Sequence, residues 1–156
     1  MKVLIVDDEP LVRKSLARAC QLRGHEVTEA EDGIKGLELW LRDAPDVVFV
    51  DVLMPGLSGP ELILEVRKRM NFTSAEGEVE DAGYRQATER GQNPNGKSDR
   101  RRMGYVILMS AYSGKHNIEA EKQVGVDLFI PKPFNDIFEV VKRAEELANA
   151  NHRREV

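Results

Sequence analysis

Four short stretches of the chain are apolar with no polar alternation: KVLIV at 2–6, DVVFVDV at 46–52, YVILM at 105–109 and DLFI at 127–130. A weaker stretch covers 25–30. Unbroken apolar runs of this length predict strands buried on both faces, as in a parallel sheet. Between them the spacing becomes helical. Leu11, Val12, Leu16, Ala19 and Cys20 share a face after Pro10, Ile34, Leu37, Trp40 and Leu41 do so after Asp32-Gly33, and Leu62, Ile63, Val66 and Met70 after Gly59. A short helix is predicted over 118–124, ended by Gly125. A last helix carries Ile137, Val141, Ala144 and Ala148, with Asn135 as its cap. Five strand–helix units in alternation predict an α/β fold, a parallel sheet covered on both faces. Right-handed crossovers make this a doubly wound five-stranded sheet in a three-layer α/β/α sandwich.

Residues 71–103 break the alternation. Only seven of these 33 residues are apolar and four are glycine; Glu76, Glu78, Glu80 and Asp81 lie early, Lys97, Arg100, Arg101 and Arg102 late. Connections inside α/β units usually run ~2–6 residues, so this is an insertion. The expected organisation is one domain over 1–150, interrupted at 71–103, with a short tail at 151–156. Because the insertion joins the third helix to the fourth strand, its ends fall at the amino-terminal edge of the sheet. A helical turn over 78–90 is supported by Asp81 and Arg85 at i,i+4.

Composition narrows the functional classes. The chain has 156 residues and a net charge of −4, which gives no general drive to bind nucleic acid. One cysteine excludes a disulfide framework or a multi-cysteine zinc site. No apolar run approaches the ~20 residues of a membrane span, and the N-terminus turns acidic where a signal peptide stays apolar. A cytoplasmic protein with no membrane or nucleic-acid partner is the expectation. His25, His116 and His152 lack metal-ligand spacing and read as surface residues; Cys20 and Trp40 read as core packing.

The polar residues that interrupt the strands share one location. Asp7 and Asp8 end the first strand, Asp51 the third and Ser110 the fourth, and Lys132 follows the fifth. Ligands of a doubly wound sheet bind beyond the carboxyl ends of its strands, so these residues should line one cleft. Three carboxylates this close repel one another and call for a cation or raised pKa values. Oxygen ligands on an open site suit Mg²⁺, which keeps waters for a phosphate. A lysine and a hydroxyl opposite would cradle a phosphoryl group, with Asp51 as the carboxylate nucleophile.

The motifs VDDEP at 6–10, DVLMPGLSG at 51–59, MSAY at 109–112 and PKPF at 131–134 resemble those of bacterial two-component response regulators, in their CheY-like receiver domains. The resemblance implies a flavodoxin-like strand order, 2-1-3-4-5. It implies Asp51 as phosphoacceptor, with Mg²⁺ held by Asp8, Asp51 and the Leu53 backbone carbonyl, and by Asp7 mainly through water. Lys132 would pair with the phosphoryl oxygens, Ser110 would bond one of them, and Phe129 would be the aromatic switch. The Lys132-Pro133 peptide would be cis. In that family the positions of Leu53 and Tyr112 flank the hydrolytic water, and an apolar and a bulky side chain there imply slow self-dephosphorylation.

The function implied is a phosphorylation switch rather than a conventional enzyme, since the only reactions are phosphorylation and dephosphorylation of its own aspartate. A sensor histidine kinase or phosphotransfer protein would be the donor. A protein effector would read the face built from the fourth predicted helix, the fifth strand and the last helix; a homodimer through that face is left open. Only NHRREV follows Ala150, so the chain reads either as a stand-alone regulator or as the input module of a longer one. The alternative is a phosphorylation-independent pseudo-receiver that binds partners in part through 71–103, where Arg100, Arg101 and Arg102 would face an acidic surface. An aspartyl-phosphate hydrolase is disfavoured, because Leu53 stands where such enzymes carry an acid. A flavin site is disfavoured too, since no Ser/Thr/Gly-rich loop follows the first strand.

Overall fold

Apart from Lys2, every residue of β1 (Lys2–Val6) and β3 (Val47–Asp51) is buried, which is why neither strand shows polar alternation. In this computed structural model the described residues are 1–74, 103–111 and 124–152, with side chains at 1–70, 103–111 and 124–150. The two central strands are flanked by β2 (Glu26–Ala30) on one side, and by β4 (Tyr105–Ser110) and β5 (Leu128–Pro131) on the other. All pairings are parallel and the order is β2-β1-β3-β4-β5, as the resemblance implied.

Successive residues of each strand serve opposite layers. Val3, Ile5, Val47, Phe49, Ile107 and Met109 meet Leu16, Ala19 and Cys20 of α1 (Pro10–Leu22), and Val140, Val141 and Ala144 of α4 (Ile137–His152). Leu4, Val6, Val48, Val50, Val106 and Leu108 meet Leu39 and Trp40 of α2 (Gly33–Asp43), and Leu62, Ile63 and Val66 of α3 (Gly59–Ser74). Trp40 is fully buried and its indole N–H donates to the Met103 carbonyl at 2.8 Å, fixing the approach to β4. Burial pushes the Cys20 thiol up to about 12, so it packs as a small apolar group.

Several details differ from expectation. Leu11 is 84% exposed and Ile34 70% exposed. The buried stripe of α1 runs through Arg13, Leu16, Ala17 and Cys20, which turns Leu11 outward. On α2, Gly33 and Gly36 face the core, and a β-carbon on Gly36 would lie 2.8 Å from Val6 Cγ1, so Ile34 falls outside the contact. The last helix is capped by Asp136 rather than Asn135: its Oδ1 accepts from the Phe138 N–H at 2.8 Å. His25 is not a surface histidine. Its side chain is 11% exposed, and its Nε2 lies 2.7 Å from Glu145, which also receives Arg23 at 2.7 and 2.5 Å. The trio ties the turn after α1 to α4. Helix α3 continues to Ser74, four residues into 71–103. The rest of that stretch up to 102, including the helical turn at 78–90, lies outside the described residues, as do His116 and all of 118–124 but Val124. Among the described residues no helix is long and apolar enough to cross a membrane.

Candidate functional site

The ladder hydrogen bonds run one residue past the strands and hold the polar residues at their carboxyl ends. Asp7 N–H donates to Ala30 at 3.1 Å, Val52 N–H to Met109 at 2.8 Å and Lys132 N–H to Ser110 at 2.7 Å. Asp7, Asp51, Ser110 and Lys132 are all buried, the only buried polar residues besides Arg13 among those described. Such groups need partners at close range.

Asp7, Asp8 and Asp51 each offer a carboxylate oxygen, and the three oxygens lie within 4.8 Å of one another. Lys132 Nζ lies 3.2 Å from Asp7 and 3.3 Å from Asp51. One ammonium does not balance this much negative charge. Burial, and next the Asp7 charge, push the Asp51 carboxyl up to about 7 against the pull of Lys132. Burial also raises Asp7, although the Glu9 backbone N–H and Lys132 act against it. Burial alone would lower Lys132, but its hydrogen bond to Glu9 and the charges of Asp51 and Asp7 outweigh that and hold it above the ordinary lysine value. An all-oxygen donor set short of positive charge fits a hard divalent cation.

Two residues that sequence reasoning passed over belong to this site. Glu9 Oε1 lies 2.8 Å from Lys132 Nζ, closer than either aspartate. It is the third acid of VDDEP, which was the available signal. Arg13 Nη1 donates to the Asp7 carbonyl at 2.7 Å while its Nε sits 3.3 Å from Glu29 on β2. A charged residue on the buried stripe of α1 was the clue there.

The other candidates divide. Asp8 is half-buried at the rim of the aspartate cluster. Phe129 is half-buried on β5 and packs against the layer containing Val106 and Leu108. Leu53 projects outward, 62% exposed, and Tyr112 lies outside the described residues. The Lys132-Pro133 peptide is cis.

Comparison with known proteins bears on the family and the fold. The family model described as response regulator receiver domain matches residues 3–83. "Response regulator MprA" of Mycobacterium leprae (strain TN) is 43% identical over 67 residues, 43% of this chain and 29% of that protein. The chain therefore spans less than a third of the length of that curated relative. Among solved structures, a CheY-like receiver domain protein from Methanospirillum hungatei JF-1 superposes with a TM-score of 0.71 at 18% identity, over 98% of this chain and 97% of that one, a likeness of fold. The response regulator protein TrrA from Thermotoga maritima, in complex with Mg²⁺-BeF, gives a TM-score of 0.64 at 27% identity, over 94% of this chain and 97% of that one.

Proposed function

Since the chain belongs to the response regulator receiver domain family, we propose that Asp51 accepts a phosphoryl group from a phosphohistidine of a sensor kinase or phosphotransfer protein, and that the protein thereby switches its contacts with an effector. The observation that carries this reading is the cluster of Asp7, Asp8 and Asp51 at the carboxyl edge of the sheet, with Lys132 3.3 Å from Asp51.

An Asp51 carboxylate oxygen attacks phosphorus, the P–N bond to the donor imidazole breaks, and its electron pair stays with the imidazole. Asp7, Asp8 and Asp51, with the Leu53 backbone carbonyl, would hold Mg²⁺. The bound ion supplies positive charge that favours ionised Asp51 and offsets the incoming phosphoryl charge. Lys132 bonds a phosphoryl oxygen from the opposite side, and Ser110, buried at the end of β4, donates to another. Ser110 and Phe129 carry the change to the face of β5 and α4. Labelling by a small-molecule phosphodonor should require Mg²⁺ and be lost in Asp51→Asn. Equal labelling of the two proteins overturns the reading.

The donor has to bring its phosphorus to Asp51 past the rim. An apolar hollow lined by Leu11, Val12, Ser15, Pro133, Phe134 and Ile137 opens beside Lys132, and Leu11 stands out from it. We assign it to the segment of the donor that bears the histidine, because the hollow adjoins Lys132 and leaves Leu11 84% exposed at its edge. Leu11→Asp should slow transfer from the phosphorylated donor on the order of fivefold, as loss of an exposed interface anchor does. Labelling by the small phosphodonor should not change. A parallel loss in both reactions argues against docking.

A further inference from the structure

Lys132 contacts three carboxylates, and the shortest contact is to the rim: 2.8 Å to Glu9, against 3.2 Å to Asp7 and 3.3 Å to Asp51. We propose that Glu9 is the resting counter-ion of Lys132, a positioning residue that the lysine must leave before it can bind a phosphoryl group on Asp51. The inference rests on the reading of Asp51 given above and adds to it what the lysine gives up.

The backbone of Glu9 is fixed, whereas its side chain stands at the solvent-exposed rim. Its N–H donates to Asp7 Oδ1 at 2.9 Å, and its carbonyl accepts from the Arg13 N–H at 3.0 Å. Glu9 occupies the cap position of α1, yet its side chain makes no capping bond, and Pro10 needs none at the first helical position. The carboxylate reaches into the cleft instead. Its side chain is 56% exposed, whereas those of Asp7 and Asp51 are 0% and 6% exposed. Of the three partners, only Glu9 regains water when the lysine departs, so it is the one released. An incoming phosphoryl group also meets Glu9 as a like charge, which adds to the barrier against capture.

Glu9 therefore acts in opposite directions on the two ligands of the site. Its charge helps to attract a cation, and it competes with a phosphoryl oxygen for Lys132. A residue with a merely structural role would weaken both. Wild type, Glu9→Gln and Glu9→Ala should be titrated with beryllofluoride, a phosphoryl mimic, at saturating Mg²⁺, and separately with Mg²⁺ alone. Beryllofluoride should bind both variants about two- to fivefold more tightly than wild type, the range of a rim ion pair, while Mg²⁺ binds them no more tightly. In metal-free buffer, Glu9→Gln should lower the urea midpoint of the wild type and leave that of Lys132→Met unchanged. Unchanged or weaker beryllofluoride binding in either variant overturns the proposal, as does an equal midpoint shift in the two backgrounds. Failure of the wild type itself to bind beryllofluoride with Mg²⁺ strikes at the Asp51 reading first, which distinguishes the two failures.

Discussion

Asp51→Asn is expected to unfold at a higher temperature than the wild type in metal-free buffer at pH 8, and at the same temperature near pH 4. The folded protein raises the Asp51 carboxyl to about 7 from a model-peptide value of 3.8, by burial and by the adjacent Asp7 charge. A raised acid holds a proton in the folded state that the unfolded chain has already lost. Stability therefore falls as pH rises from about 4 to about 7 and levels off above that. The raised Asp7 carboxyl adds a contribution of the same sign. Glu145, held low by its hydrogen bond to Arg23, acts oppositely, but its stabilising share is lost only below the ordinary glutamate range. Between pH 5 and 8 the aspartates dominate. At about 1.4 kcal/mol per pKa unit the Asp51 effect is at most about 4 kcal/mol, several degrees in unfolding temperature. Saturating Mg²⁺ should stabilise the wild type and narrow its gap to Asp51→Asn. Thermal melts over pH 5–8, with and without Mg²⁺, check this; a wild type whose stability rises across that window refutes it.

The same energetics explain what could be read from the sequence. Strands buried on both faces leave apolar runs that cannot be missed, and a doubly wound sheet brings their carboxyl ends together. Asp7, Asp8, Asp51, Ser110 and Lys132 were therefore placed in one cleft by the chain alone. What escaped depended on rotation and reach. Leu11 and Ile34 look like core residues because helical spacing says which residues share a face and not which face is covered. The covered faces here are marked by Arg13 and by Gly33 and Gly36, residue types that an apolar count passes over. Glu9 was passed over because its role depends on where its side chain reaches, which spacing does not encode. His25 was misread for the same reason, its partner Glu145 lying 120 residues away. The resemblance and its motifs identified the family.

Two glycine substitutions should separate damage to the site from damage to the fold. Gly59 begins α3, and a β-carbon there would lie 2.3 Å from the Asp51 carbonyl oxygen and 3.1 Å from Val50 Cγ1. Its N–H donates to the Val52 carbonyl at 3.0 Å, so the loop from 52 to 58 is closed against the end of β3. Alanine at 59 would push first against the Asp51 backbone, and the displaced atoms are those that orient Asp51. Gly104 precedes β4 at the opposite edge of the sheet, with φ +74° and a β-carbon position 2.3 Å from the Pro45 carbonyl oxygen. Both changes should destabilise, by about 1–3 kcal/mol for overpacking, with about 1–2 kcal/mol more at Gly104 for left-handed backbone. Their effects on function should differ. β3 is five residues long, so Gly104 acts roughly 16 Å from the cleft at ~3.3 Å per residue. At a temperature where both variants are folded, Gly59→Ala should slow Mg²⁺-dependent labelling by about tenfold or more, since displacement of a reacting group by ~1 Å is costly. Gly104→Ala should label at the wild-type rate despite its lower melting temperature. Equal labelling in the two variants would show that the contact between Gly59 and Asp51 does not set the geometry of the cleft.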